Sequence, residues 1–174
     1  MPSLIQRPAV QESGDYFKGY INQVEGEDIM QILTDLKVQT SQLLENLSTE
    51  KWDFAYAPGK WTIKEMIVHL IDAERVFSYR ALRFARNDQT PLPGFDQDDY
   101  TPESRAHQRS IDSIIREYKS VRDASLSLFE SLDEKAWKNI GTASNSPFSP
   151  LALAFVIAGH EIHHMKILRE RYLV

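Results

Sequence analysis

The stretch Gly159-His160-Glu161-Ile162-His163-His164-Met165 lies within an apolar segment that begins at Leu151, and it contains three of the chain's five histidines. Successive residues of an α-helix are separated by about 100°. On a helix, His160 and His164 therefore lie in the middle of the apolar stripe, and His163 lies at its margin. Two imidazoles one turn apart on a buried face have the spacing with which one helix gives two ligands to one metal ion.

A third histidine, His69, lies in a second amphipathic segment, residues 61–86, whose apolar positions follow helical spacing. His69 falls inside this apolar stripe, toward one side. Three imidazoles and a solvent position form an open, zinc-type site. The alternative is that these are core histidines, in which case each needs its own buried hydrogen-bond partner. His107 lies on a largely polar stretch, and we expect it at the surface.

The composition argues against several classes of partner and site. The 174 residues are enough for one domain with a substantial core, and the net charge of −5 without any Lys/Arg cluster argues against nucleic acid or an anionic membrane as partner. The absence of cysteine excludes disulfides, thiolate ligands and a cysteine nucleophile from this chain. The N-terminus lacks a signal-peptide pattern, and the longest apolar run, residues 151–159, is about half of a membrane span. We expect a soluble, cytoplasmic protein.

Four long amphipathic segments and almost no alternating pattern predict an all-α four-helix bundle in a single domain, residues 1–174. Thr62 and Glu65 form a capping box at the start of the second helix. Serine and proline at 149 and 150 are typical of a helix start, because proline at the first helical position loses no hydrogen bond. We expect the four helices to begin near Gly26, Thr62, Thr101 and Ser149.

The remaining segments are predicted to be short or irregular. Residues 1–25 form an N-terminal arm anchored by aromatic side chains, and short helical turns are expected near residues 48–52 and 133–137. Residues 88–100 are rich in Pro, Gly and Asp and are predicted to form a functional loop, and the alternative for most of its aspartates is a solvated acidic loop. Residues 139–147 are predicted to form a polar loop. The connections are longer than tight turns between helices, so an up-down-up-down order is not required. The anchors of the arm are Tyr16, Phe17 and Tyr20.

Three segments together resemble the DinB-like family of metalloenzymes: WTIKEMIVHLIDAER around His69, the loop LPGFDQDDY, and the terminal AGHEIHHMKILRERY. They occur in the family's order and cover nearly the whole chain. The resemblance implies a bundle in up-down-down-up order that forms a homodimer. It also implies one divalent metal ion, usually zinc or nickel, bound by His69, His160 and His164. His163 matches the companion histidine beside the last ligand and is not expected to bind the ion.

An open three-histidine site predicts a metal-dependent hydrolase or a thiol S-transferase that acts on a small molecule. Characterised relatives in the family include bacillithiol S-transferases, and related proteins include mycothiol-dependent isomerases. Because this chain has no cysteine, the thiol would be a low-molecular-weight cosubstrate. The competing hypothesis is a non-catalytic metal- or ligand-binding bundle in a stress response.

Four further residues are candidates for the pocket or for contacts with the histidines. Arg80 lies about three turns beyond His69 on nearly the same line; it could meet an anionic substrate, but we favour an ion pair with an aspartate of the 88–100 loop. Tyr100 is a candidate pocket wall or proton donor. Glu161, beside the apolar stripe, could orient an imidazole N–H. His163 is the fourth candidate, and no general base is identified.

Overall fold

The computed structural model describes residues 6–174 and consists of four long helices with shorter elements between them. The predicted all-α four-helix bundle is confirmed. The long helices are α2 (Ile29–Glu45), α3 (Ile63–Ala85), α5 (Ile111–Glu130) and α7 (Pro150–Ile167), which continues as a π-helical turn, Leu168–Tyr172. The short helices are α1 (Asp15–Ile21), α4 (Gln97–Glu103) and α6 (Glu134–Lys138), and the two strands are β1 (Gly141–Ala143) and β2 (Ser146–Phe148). Three 3₁₀ turns complete the elements: Val10–Glu12, Thr49–Asp53 and Ala106–Gln108.

The predicted helix starts at Thr62 and Ser149 are confirmed. The backbone N–H of Glu65 donates to the Thr62 hydroxyl over 3.2 Å, and the backbone N–H of Thr62 donates to the Glu65 carboxylate over 2.7 Å. The Ser149 hydroxyl accepts the backbone N–H of Ala152 over 2.9 Å, and Pro150 is the first residue of α7. These bonds satisfy N–H groups that a helix leaves without partners in its first turn.

Cross-helix contacts establish the up-down-down-up order. Helices α3 and α5 are parallel, because Arg75 contacts Glu117 over 2.5 Å and, further along both helices, Ser78 contacts Ser125 over 2.8 Å. Helices α3 and α7 are antiparallel, as are α2 and α5. The contacts that show the antiparallel order are Trp61 with Tyr172, His69 with His160, Lys37 with Asp123, and Glu45 with Lys119.

The crossover between the parallel helices α3 and α5, residues 86–110, differs from its prediction. The third long helix was expected to begin near Thr101, but Pro102 lies inside the separate helix α4, and α5 begins at Ile111 with Ser110 as its cap. Arg105 adopts a left-handed conformation with φ of 50°, which ends α4 and changes the chain's direction. Because α3 and α5 are parallel neighbours, the chain must travel back along the bundle between them. This distance is about 35 Å for a helix as long as α3.

A β-hairpin replaces the polar loop that was predicted for residues 139–147. Strands β1 and β2 pair antiparallel around Ser144 and Asn145, which have positive φ values of 50° and 58°. Two such residues fit the turn that joins twisted antiparallel strands. The hairpin also holds the crossover, because the Leu92 N–H donates to the Thr142 carbonyl over 2.9 Å and the Ser144 N–H donates to the Leu92 carbonyl over 3.0 Å.

Helix α7 is the central helix of the core. All of its residues from Pro150 to Glu161 are buried, and α1, α2, α3 and α6 pack against it. By length and composition, Pro150–Tyr172 could cross a membrane, but most of it is buried inside the bundle. A helix that is apolar on nearly all sides is expected at the centre of a soluble bundle as well as in a membrane. Of the predicted N-terminal arm, residues 6–25 include α1, and residues 1–5 lie outside the described part of the chain.

Arg122 is a fully buried cation that contacts all four long helices. From α5 its guanidinium donates to the Glu74 carboxylate of α3 over 2.8 and 2.9 Å, to the Leu33 carbonyl of α2 over 3.1 Å, and to the Glu161 carboxylate of α7. Burial by itself lowers the pKa of Arg122, but the adjacent carboxylates of Glu161 and Glu74 outweigh it and hold this pKa well above its ordinary value. The guanidinium therefore stays charged in the core.

Arg122→Met should lower the free energy of unfolding by about 3–5 kcal/mol, because it leaves two carboxylates buried without their cation. Urea denaturation measures this change. Arg116→Met is the matched control on the exposed side of the same helix and should change stability by no more than about 0.5 kcal/mol. Adding Glu74→Gln and Glu161→Gln to Arg122→Met should recover part of the loss. Equal stabilities for the two arginine variants would contradict this role.

Candidate metal centre and its cavity

The structure brings His69, His160 and His164 together at the contact between α3 and α7. The Nε2 atom of His160 lies 3.0 Å from Nε2 of His69 and 3.1 Å from Nε2 of His164. One nitrogen of each ring can be chosen so that all three lie within 4.8 Å of one another. His69 and His160 are buried and His164 is half-buried. We call these three side chains the histidine cluster.

Aromatic side chains hold the rings of the cluster in place. The Trp61 ring lies 4.8 Å from the His69 ring, between centroids. The Tyr20 and Phe77 rings approach His160 edge-on, at 5.2 and 6.0 Å. These contacts restrict ring rotation and leave the nitrogens directed at one another.

Burial keeps the three imidazoles neutral. It lowers the pKa of His69 to about 4 and is the main cause that lowers the pKa of His164 to about 3. The pKa of His160 is lowered well below its ordinary value, first by burial and then by the neighbouring histidines. Neutral imidazole is the form that binds a metal ion.

The cluster fits a divalent ion better than it fits a set of hydrogen bonds. Each neutral ring has one donor and one acceptor nitrogen, so Nε2 of His160 cannot form two full hydrogen bonds of the same kind with both neighbours. Tetrahedral zinc with Zn–N distances of about 2.0 Å separates its ligand nitrogens by about 3.3 Å, close to the contacts found here. A small shift of these rings would bring the three nitrogens around one ion.

A cavity of about 310 Å³ opens onto the histidine cluster. His69 and His160 form part of its lining, and the aromatic walls are contributed by α1, α3 and the crossover. Arg80 lines it as well, and Asp96 and Asp98 lie in an exposed part of the crossover. The aromatic side chains of the lining are Tyr16, Phe17, Tyr20, Phe77 and Phe95.

Helix α1 supplies a wall of this cavity that the sequence analysis described only as an anchored arm. A Cβ atom at Gly159 would come within 2.0 Å of the Tyr20 carbonyl oxygen, so only glycine allows α1 to pack this closely on α7. This contact places the Tyr20 ring beside His160. The signal in the sequence was a single glycine, next to His160, within a run of larger apolar residues.

Arg80 is buried and does not form the ion pair that we favoured in the sequence analysis. Its Nη2 donates to the Pro93 carbonyl and to the Ser144 hydroxyl, each over 3.0 Å. The predicted ion pair between Arg80 and an aspartate of the 88–100 loop is therefore wrong. The guanidinium holds the crossover through a backbone carbonyl, whereas Asp88 pairs with Arg83 and the other aspartates of this loop are exposed to water.

Tyr100 and Glu161 lie in places that differ from their predictions. Tyr100 is exposed and packs on Phe95 at 5.2 Å between ring centroids, and it is not part of the cavity lining. Glu161 accepts hydrogen bonds from Thr40 and Tyr118 over 2.5 and 2.6 Å and pairs with Arg122. Within residues 6–174 it forms no hydrogen bond with an imidazole, because these stronger donors occupy its oxygens.

The two other histidines lie outside the cluster. His163 is half-buried and packs against the Tyr20 ring at 5.5 Å between centroids. His107 is exposed in the 3₁₀ turn before α5, as expected. Glu74, on the same helix as His69, forms an ion pair with Arg122.

The geometry can now be compared with known proteins. A family model described as the DinB superfamily matches residues 32–168, most of the chain. This chain belongs to the DinB superfamily. The match includes all four long helices, apart from the first turn of α2, and the three residues of the histidine cluster.

Two individual proteins are similar to this chain at low sequence identity. Two curated relatives are named as putative metal-dependent hydrolases. The protein of Oceanobacillus iheyensis is 24% identical over 80% of this chain and 82% of its own length, and that of Bacillus licheniformis is 29% identical over 79% and 82%.

Two solved structures of similar fold extend the comparison. YfiT from Bacillus subtilis, a probable metal-dependent hydrolase with an unusual four-helix bundle topology, aligns with a TM-score of 0.71 at 15% identity over 94% of this chain and 91% of its own. A mycothiol-dependent maleylpyruvate isomerase aligns with a TM-score of 0.66 at 12% identity, and this chain matches 61% of its length. At these identities the likeness shows the fold alone.

Gly159→Ala should move α1 away from α7, because the new Cβ has no room beside the Tyr20 carbonyl. We expect a lower free energy of unfolding and faster amide hydrogen exchange in residues 15–21. Alanine is the better helix former by about 1 kcal/mol, so a more stable protein would contradict this packing. Gly19→Ala is the control, because no heavy atom of residues 6–174 that would crowd its added Cβ lies within 4 Å, and it should not lower stability.

The metal-free protein should lose stability as pH falls from 7 to 5. The folded pKa values of about 4 for His69 and about 3 for His164 lie below the unfolded value of about 6.5, so the unfolded chain binds more protons in this range. The contribution of these neutral histidines to the free energy of unfolding is fully present above about pH 6.5. Below that pH it falls by up to about 1.4 kcal/mol per pH unit for each such histidine.

Urea denaturation of chelator-treated protein at pH 7, 6 and 5 measures this slope. His69→Gln should make the slope shallower, because one buried histidine no longer resists protonation. His107→Gln, at an exposed position, should leave it unchanged. A slope that is the same in all three proteins would show that His69 is not held neutral by the fold.

Proposed function

We propose that His69, His160 and His164 bind one divalent metal ion, zinc or nickel, and that the protein is a metal-dependent enzyme acting on a small molecule in the adjoining cavity. The observation that carries this proposal is the convergence of three neutral imidazole nitrogens at one end of a cavity of about 310 Å³. Three protein ligands leave a coordination position for solvent or substrate, as in catalytic zinc sites, whereas structural sites are closed by four.

Hydrolysis is the reaction that we put first, and the names of the two curated relatives support it. The ion would supply Lewis-acid chemistry by polarising a substrate oxygen and lowering the pKa of a coordinated ligand. The residues of the chain would orient the substrate and exclude water from it, through the aromatic walls. Burial first, and then Tyr16, raises the pKa of Tyr20, so its hydroxyl keeps its proton at neutral pH and can donate a hydrogen bond in the cavity.

Thiol transfer is the second candidate. It is favoured because the nearby buried carboxylates are already engaged in ion pairs. Glu74 and Glu161, the buried carboxylates nearest the cluster in sequence, are both paired with Arg122. Hydrolysis needs a general base within hydrogen-bond reach of the attacking water. A thiol is acidic enough to need less help, and a low-molecular-weight thiol would supply the sulfur that this chain lacks.

The remaining partner predictions support a small-molecule enzyme. The net charge of −5 is unfavourable for nucleic acid or an anionic membrane. The homodimer stays an expectation from the family resemblance, and the cytoplasmic location stays a prediction from the sequence. A non-catalytic metal- or ligand-binding bundle is the alternative function.

Elemental analysis of the parent and of His69→Ala, His160→Ala and His164→Ala tests the metal site. We expect about one equivalent of metal in the parent and its loss in each variant, since two imidazoles hold an ion poorly. His163→Ala and His107→Ala are the matched controls and should retain the metal. An unchanged metal content in any of the first three variants would contradict the ligand assignment. Metal loss in His163→Ala would mean that His163 binds the ion.

Turnover assays with the zinc- and nickel-loaded parent then separate the reaction classes. One set of reactions uses chromogenic esters, and the other uses a small thiol with an alkylating fluorophore. We expect metal-dependent turnover in one set and its loss in His160→Ala. A rate equal to that of the metal-free protein in both sets would favour the non-catalytic alternative.

A further inference from the structure

Arg80 is a buried cation that has no counter-ion among the residues that the structure describes. The side chain lies on α3, its residue is 2% exposed, and in the part of the chain that the structure describes no carboxylate lies within 4.0 Å of it. Arg122, the other deeply buried arginine of the bundle, has two carboxylates and a carbonyl as partners. A buried charge without an opposite charge is costly, and proteins usually keep one only where it serves a function.

Only part of the Arg80 guanidinium is occupied by the fold. Nη2 donates to Pro93 and Ser144, whereas Nε and Nη1 form no hydrogen bond with residues 6–174. The side chain lines the same cavity as His69 and His160. Its remaining N–H groups are therefore available to a ligand in that cavity.

Phe77 connects the two polar ends of the cavity. Its ring centroid lies 6.0 Å from the His160 ring and 5.9 Å from the Arg80 Cζ. Phe95, from the crossover, lies at 5.9 Å from the same carbon. The guanidinium is thus held between two aromatic faces, and an apolar surface extends from it to the histidine cluster.

We propose that the cavity binds a small molecule that carries a carboxylate, with the carboxylate on Arg80 and an apolar body along Phe77. The other end of this molecule faces the histidine cluster. The proposal rests on the proposed function of that cluster and names the substrate class of the same site. A single guanidinium balances one negative charge, so a carboxylate fits better than a phosphate dianion, whose second charge would be desolvated without a partner.

The other charged groups of the cavity do not neutralise Arg80. Asp96 caps α4 by accepting the backbone N–H of Asp98 over 2.8 Å, and both aspartates are exposed. Neither lies within 4.0 Å of the guanidinium in the described structure, and water screens exposed charges from a buried one. The size of the cavity, near the lower end for ligand pockets, indicates a small molecule.

Calorimetric titration of the full chain with 3-phenylpropionate and with its neutral amide tests the proposal. Both probes are measured at pH 7 on chelator-treated and on zinc-loaded protein. In the metal-free parent, we expect the carboxylate to bind at least about tenfold more tightly than the amide, since hydrogen bonds between charged groups are stronger than those to a neutral group. Arg80→Gln should abolish this preference. Phenyl phosphate is the third probe, and tighter binding of it than of the carboxylate would overturn the choice of carboxylate.

Arg83→Gln is the matched control, because Arg83 lies on the same helix, pairs with Asp88 and is not part of the cavity lining. It should keep the full preference for the carboxylate. If the metal-free parent binds both probes equally, or if Arg80→Gln keeps the preference, the proposal is wrong. If Arg80→Gln does not fold, the parent labelled with ¹⁵N-arginine decides: the carboxylate, but not the amide, should shift one arginine Nε resonance.

Measurements on the metal-free and on the zinc-loaded protein distinguish this proposal from the metal proposal. A carboxylate preference that appears only with zinc and survives in Arg80→Gln would place the carboxylate on the ion. That result would overturn the role of Arg80 and leave the metal site standing. A preference in metal-free protein that Arg80→Gln removes would support Arg80 even if elemental analysis finds no metal.

Discussion

The buried guanidinium of Arg122 is the interaction on which the rest of the bundle depends. It is the one side chain seen here to bind acceptors on α2, α3 and α7 from its own place on α5. Because an unpaired buried charge is costly, each of these helices is confined to the rotation that keeps its acceptor in reach of Arg122. Glu161 follows His160 directly, so the rotation that places Glu161 on Arg122 also fixes the direction of His160. Glu74 does the same for α3, on which His69 lies little more than one turn earlier.

The up-down-down-up order explains why the site has a cavity at all. Parallel α3 and α5 need a long crossover, and this segment returns past the open end of the histidine cluster with Phe95. The hairpin between α6 and α7 then holds the crossover through Leu92 and presents Ser144 to Arg80. Helix α1 closes another side at Gly159. In an up-down-up-down bundle with tight turns, neither the crossover nor the hairpin would be available to form a wall.

Periodicity in the sequence was enough for the parts of the structure that depend on a single helix. It placed His69, His160 and His164 on buried faces, and the capping box at Thr62 located the start of α3. It failed where position depends on contacts between distant segments. The start of α5 was missed because Thr101-Pro102 has the local pattern of a helix start, yet the crossover needs these residues in a separate helix. The role of Glu161 was missed because helical angles show which way a side chain points, but not that Arg122 from another helix meets it there.

The charges around the histidine cluster change in order from the inside of the bundle to the cavity. On the inner side, Glu74, Arg122 and Glu161 form a buried group with one more negative than positive charge, next to His160. In the cavity, Arg80 carries a positive charge that has no counter-ion among residues 6–174. The histidine cluster lies between them and is neutral, because burial disfavours the charged imidazoles. A cation on these nitrogens would be attracted by the inner group, and an anion in the cavity would be attracted by both the cation and Arg80. Since charges interact more strongly in a poorly solvated interior than in water, this order favours a metal ion in the cluster and an anionic ligand in front of it.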